Sequence, residues 1–127
     1  MLEMIFAVTL FALIVVSLMG VWAMHARAIA HSRGSLIATH LAEMKLEEAL
    51  SKGWQVDSKE SDVMTAYRAE ITLNGQKTVE IYNWKVAVQR QSSSEGGLIK
   101  TIRVRVYWDE QEIKREVNIG TVITWQG

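Results

Sequence analysis

The 127-residue sequence predicts an α+β protein in which one long N-terminal α-helix packs on a small antiparallel β-sheet. Three observations carry this. Met4 to Met24 is an uncharged apolar run, helix formers continue beyond it to Gly53, and the second half alternates apolar with polar residues. The expected organisation is a membrane or assembly half-helix over residues 1–25, an amphipathic half-helix over 26–53 and an antiparallel sheet domain over 54–127.

The charges are unevenly spread. Lysine plus arginine equal aspartate plus glutamate at 14 each, yet Glu3 is the only charged side chain before Arg27. One end therefore suits an apolar surrounding and the other suits water. The sequence contains neither cysteine nor proline. A disulfide framework is excluded, and no ring need kink a helix.

Met4–Met24 (MIFAVTLFALIVVSLMGVWAM) would rise roughly 30 Å as a helix, the thickness of a bilayer's hydrocarbon core. Thr9 and Ser17 are tolerable there because their hydroxyls can bond the preceding turn. Trp22 stands where an interfacial aromatic is expected. A cleaved secretory signal fits poorly, for want of a basic leading segment and a small-residue cleavage site followed by a break in the helix. The helix is expected to continue through HARAIAHSRGSLIATHLAEMKLEEALSKGW, reaching roughly 75 Å in all. Ile37, Leu41 and Met44 form one stripe and Glu43 and Glu47 another, with Lys52 in a basic last turn and Gly53 as the stop.

Glu3 is the exception in the apolar segment. A carboxylate there either lies among headgroups and favours the positive end of the helix dipole, or has a task. Arg27 and Arg33 follow the span, which alone would hold that side in the cytoplasm. A basic leader preceding Met1 explains the pattern more simply.

Beyond Trp54, Val56–Asp62 (VDSKESD) reads as a polar loop. Tyr67, Ala69, Ile71 and Leu73 alternate with Arg68, Glu70 and Thr72, a half-buried strand closed by an Asn74-Gly75 turn. Tyr82, Trp84, Val86 and Val88 alternate with Asn83, Lys85, Ala87 and Gln89. Gln91–Gly97 reads as a flexible loop. Ile102, Val104, Val106 and Trp108 alternate with Thr101, Arg103, Arg105 and Tyr107. Asp109–Glu112 reads as a turn, and Ile113, Val117 and Ile119 begin a last strand. Three or four strands with one apolar face need a cover, and the amphipathic half-helix is the element available. Ile37, Leu41, Met44 and Leu46 against Trp84, Val86, Val104 and Val106 would form the core.

Nothing in the sequence points to catalysis, a cofactor or a metal. His25, His31 and His40 are spaced six and nine apart, which puts no two imidazoles on one face within a turn. There is no phosphate loop or nucleophile elbow. Lys100, Arg103, Arg105, Lys114 and Arg115 form a basic stripe that raises DNA binding. Glu112 and Glu116 interrupt it, and water-facing strand positions are commonly charged, so a solvated face is the preferred reading. Trp54, Trp84, Trp108 and Trp125 read as packing residues.

MLEMIFAVTLFALIVVSLMG resembles the N-terminal region of type IV pilins and type II secretion pseudopilins, with Glu3 matching that family's helix glutamate. LAEMKLEEAL (Leu41–Leu50) is similar to the helix end of minor pilins of the pilus-modification type. LIKTIRVRVYWDEQEIKREVNIGTVI (Leu98–Ile123) is similar to their closing strand pair. The family's cleavage-point glycine and following phenylalanine would lie before Met1. The resemblance implies a pilin-like fold and a non-enzymatic structural subunit. It implies leader removal by a prepilin peptidase, methylation, passage through the bacterial inner membrane and its assembly platform, and entry into a periplasmic or surface filament. Partners would be other pilin or pseudopilin subunits. Glu3 would meet a neighbour's N-terminal ammonium, while Leu2, Met4, Ile5, Phe6, Leu10, Phe11, Leu13 and Ile14 pack in the filament core or bilayer. The alternative is a permanent single-pass membrane protein whose sheet domain binds an envelope partner.

Overall fold

A computed structural model describes the chain apart from residues 63, 74, 93–95, 126 and 127, with Leu73 described by its backbone alone. Helix α1 runs Leu2–Ser51 and is followed by a 3-10 turn at Gly53–Gln55. Five strands follow: β1 (Lys59–Glu60), β2 (Tyr67–Leu73), β3 (Gln76–Ser92), β4 (Leu98–Glu110) and β5 (Ile113–Trp125). The chain divides into two compact units, Met1–Gly34 and Ser35–Gly127. The α+β class and the helix-plus-antiparallel-sheet plan are as expected, and they match a pilin-like description.

In the second unit all strand pairs are antiparallel. The order is β1-β3-β4-β5, with β2 also on β3. The seventeen-residue β3 holds the sheet together: its first part pairs β2 (Tyr67↔Tyr82, Leu73↔Gln76), its second part pairs β1 (Glu60↔Lys85), and its other edge pairs β4. β4 and β5 pair without a register break from Leu98↔Trp125 to Glu110↔Ile113.

Alternation places Tyr82, Trp84, Val86, Ile102, Val104, Val106 and Trp108 on one face, all buried. The final turns of α1 cover them with Ala38, Leu41, Ala42 and Ala49. Ala38, Ala42, Lys45 and Ala49 lie within roughly 60° on a helix of 3.6 residues per turn. Ile37 and Leu46 flank this line, partly buried, whereas Met44 is 44% exposed. The expected core position of Met44 is thereby corrected. Alanine's small side chain lets the helix backbone sit close to the indole and valine surface, and the large apolar residues fall to the sides. Lys45 lies along the same line, its ammonium 4.4 Å from the Trp84 ring centroid and 2.8 Å from Glu48 Oε2. Its stem follows apolar surface while its charge reaches water.

Several local expectations change. α1 ends at Ser51 with no basic residue in its last turn, so Lys52 stands just beyond it; Gly53 adopts φ +54, as a glycine stop requires. Val56–Asp62 is not wholly loop, because Lys59 and Glu60 form β1 and Val56 is buried. Ser61 fixes this edge with its backbone and its hydroxyl: Ser61 N–H donates to Trp84 O (2.8 Å), and Trp84 N–H donates to Ser61 Oγ (2.9 Å). Gln91 and Ser92 belong to β3, while residues 93–95 of the expected loop lie outside the described residues. In the expected Asn74-Gly75 turn, Asn74 also lies outside them, and Gly75 has φ +79. The last turn narrows to Gln111 and Glu112, at φ 48 and 68. The described residues form five strands where three or four are expected.

Candidate functional site: the uncovered N-terminal helix

From Leu2 to Met24 every side chain of α1 is exposed. The expected packing residues follow suit: Leu2, Met4, Ile5, Phe6, Leu10, Phe11, Leu13 and Ile14 are 49–83% exposed. An apolar surface this extensive marks a membrane or interaction site, since monomers in water rarely carry one. The helix is long and apolar enough to cross a membrane.

Leu, Ile, Phe and Val occupy twelve positions between Leu2 and Met24. At about 0.3–0.6 kcal/mol each, they favour insertion by about 4–7 kcal/mol, more than one edge-placed carboxylate takes back. The polar residues in the segment are handled locally. Thr9 Oγ1 donates to Ile5 O (2.6 Å) and Ser17 Oγ donates to Leu13 O (2.8 Å), so neither hydroxyl needs water or a neighbour. Gly20 is open on its own face: a Cβ there would meet nothing within 4 Å.

Glu3 lies in the first turn of α1, the positive end of the helix dipole. Its carboxylate makes no hydrogen bond or ion pair with any described residue. At 3.6 residues per turn its line continues through Ala7, Leu10 and Ile14. A carboxylate heading an apolar ridge demands a cation wherever that ridge is buried against something else.

The sheet separates the basic residues that the sequence groups together. Arg103 and Arg105 lie on the outer face of β4, and Lys114 is exposed at the start of β5. Lys100 does not join them, because its even position puts it on the core face. It is fully buried, and its ammonium donates to Trp54 O (2.5 Å) and Val56 O (2.8 Å) with the Trp54 ring 5.2 Å away. Arg115 lies opposite Trp108 on the core side and bonds Glu110 (3.2 Å). On the outer face Arg105 pairs with Glu116 (3.1 Å) and Lys85 with Glu60 (3.2 Å), which interleaves the charges. Trp84 and Trp108 are core residues, and Trp54 packs beside the half-exposed Trp125 at 6.1 Å. Sequence reasoning missed the Lys100 clamp, although the period-2 pattern of β4 contains its signal.

No protein-family model matches this chain, and neither a curated protein nor a solved structure matches it.

Proposed function

We propose that the protein is a minor pilin or pseudopilin, a structural subunit that rests in the inner membrane through the first half of α1 and then assembles through that helix into a type IV pilus or type II secretion pseudopilus. One observation carries the reading: an uncovered apolar helical segment, headed by a single carboxylate with no partner among the described residues, belongs to the same helix whose last turns pack on the sheet. The resemblance of Met1–Gly20 to prepilin-type helices adds to it. In a filament the apolar ridge exchanges lipid for neighbouring helices, and Glu3 meets a neighbour's terminal ammonium. An unpaired charge at that depth costs several kcal/mol, so the pair fixes register between subunits.

Mass spectrometry of the protein recovered from native filaments tests this. The expected product is a chain whose leader has been removed to leave a free amine near Glu3. An intact leader on filament-borne protein would overturn the proposal. In that case the second reading, a permanent single-pass protein, is favoured by Arg27 and Arg33 directly after the apolar run.

A further inference from the structure

Three strands present an outer edge that no described residue pairs with: β5 on one side of the sheet, and β2 with the two-residue β1 on the other. β5 is thirteen residues long, holds an unbroken register with β4 and contains no proline. Bulges, proline and shortness commonly blunt a long edge, and β5 has none of these three; its charged residues, Lys114, Arg115 and Glu116, all lie in its first four positions. Successive strands in the path β2-β3-β4-β5 are antiparallel, so β5 and β2 run in opposite directions. Two copies related mainly by translation thus bring β5 of one beside β2 of the next in antiparallel orientation. Every α1 then keeps the same direction, as helices sharing one membrane must.

The charges select a single register. Faces are preserved only by shifts of two residues, because a one-residue slip turns the apolar side to water. Pure side-by-side translation sets Arg115 level with Tyr67, since Tyr67, Tyr82, Trp108 and Arg115 form one row. It also sets Lys114 against Arg68, like against like. A shift of two residues sets Lys114 against Glu70 and Glu116 against Arg68, with Ile113 against Ile71 and Val117 against Tyr67 on the core side. A shift of four sets Glu116 against Glu70. Opposite charges directly across an antiparallel pair are favourable and like charges unfavourable. Neither Lys114 nor Glu70 has a partner within its own chain among the described residues, and both are exposed. Glu116, already 3.1 Å from Arg105, would bridge two guanidinium groups.

We infer that copies of this chain join head to tail by antiparallel pairing of β5 residues 113–117 with β2 residues 67–71 of the next copy, held in register by Lys114–Glu70 and Glu116–Arg68. β2 begins at Tyr67, so in this register its pairing with β5 ends at Val117. The two-residue stagger displaces each copy by about 7 Å along the strands, so the array climbs rather than lying flat. The inference rests on the two sheet edges and stands apart from the role of Glu3.

The test uses two tagged full-length versions co-expressed in one membrane, Glu116→Cys in one and Arg68→Cys in the other; the chain has no cysteine of its own. Within one chain these positions are three strand spacings apart, about 14 Å, too far for a disulfide. Mild oxidation is expected to give the mixed dimer well above the yield from Thr124→Cys with Arg68→Cys. Adding Lys114→Glu to the first version is expected to lower the yield about three- to tenfold, and Glu70→Lys in the second to restore it. A yield no higher than that of the Thr124 pair, or one indifferent to charge reversal, overturns the inference. Filament entry of a Glu3 variant is read separately, so either idea can fail alone.

Discussion

Lys100 is a charged residue with no exposed surface, held by two backbone carbonyls at the exit from α1. Its ammonium ties the Trp54–Val56 segment to the middle of the sheet, which fixes where the chain leaves the helix. Lys100→Met keeps the stem volume but strands both carbonyls, and each unsatisfied buried acceptor costs about 1–3 kcal/mol. Urea unfolding followed by tryptophan fluorescence is expected to show a loss of about 2–5 kcal/mol. Asp62 is the opposite case, an exposed residue with a clear task. Its Oδ1 accepts from the Thr65 hydroxyl (2.8 Å), Thr65 N–H (2.8 Å) and Met64 N–H (2.9 Å). The Thr65 hydroxyl first, then the backbone N–H groups, hold its carboxyl below the usual aspartate range. A depressed folded-state pKa means that the turn gains stability above the ordinary aspartate pKa and loses it as pH falls through the lowered value. An NMR titration is expected to place the Asp62 midpoint below that of an unstructured aspartate, and Thr65→Ala to move it back up. At this scale the sequence was partly legible. The parity of β4 marks position 100 as inward, but a lysine there reads as surface until the carbonyls that receive it are seen.

At the scale of elements, α1 and the β4–β5 hairpin show what pattern reading can and cannot resolve. The strands were legible because their buried residues are large and strictly alternate. The docking face of α1 was legible only approximately. Its centre is made of alanines, which carry little weight in an apolar pattern, so the pattern points about 100° round, toward Met44. Close approach is what the alanines provide. Ala42→Leu is therefore expected to destabilise the helix–sheet unit by about 1–3 kcal/mol through overpacking, whereas Met44→Ala is expected to cost less; thermal melts of the two variants compare them. The β4–β5 turn places Gln111 and Glu112 at positive φ, a two-residue hairpin geometry that favours Asn-Gly. Replacing them as Gln111→Asn with Glu112→Gly is expected to stabilise the hairpin by about 1 kcal/mol or more, read as a higher denaturation midpoint. β1 was missed because two residues of strand carry no period, and its place depends on Ser58 and Ser61 bonding β3.

For the whole molecule, the plan of an apolar segment, an amphipathic helix end and a one-faced sheet was legible because each part has its own period and its own solvent. What the apolar segment meets was not, since that depends on surfaces outside the chain. Its side chains are exposed, its hydroxyls are satisfied within the helix, and its one charge lacks a partner among the described residues. A plain membrane anchor requires only the first two of these features. A filament subunit uses all three, and the difference lies in Glu3. The most direct measurement is the amount of Glu3→Gln protein in purified filaments relative to its amount in the membrane, beside the unsubstituted chain. Gln keeps the shape and removes the charge. The expected result is normal membrane levels with incorporation lost; incorporation equal to that of the unsubstituted chain would mean that Glu3 has no part in assembly.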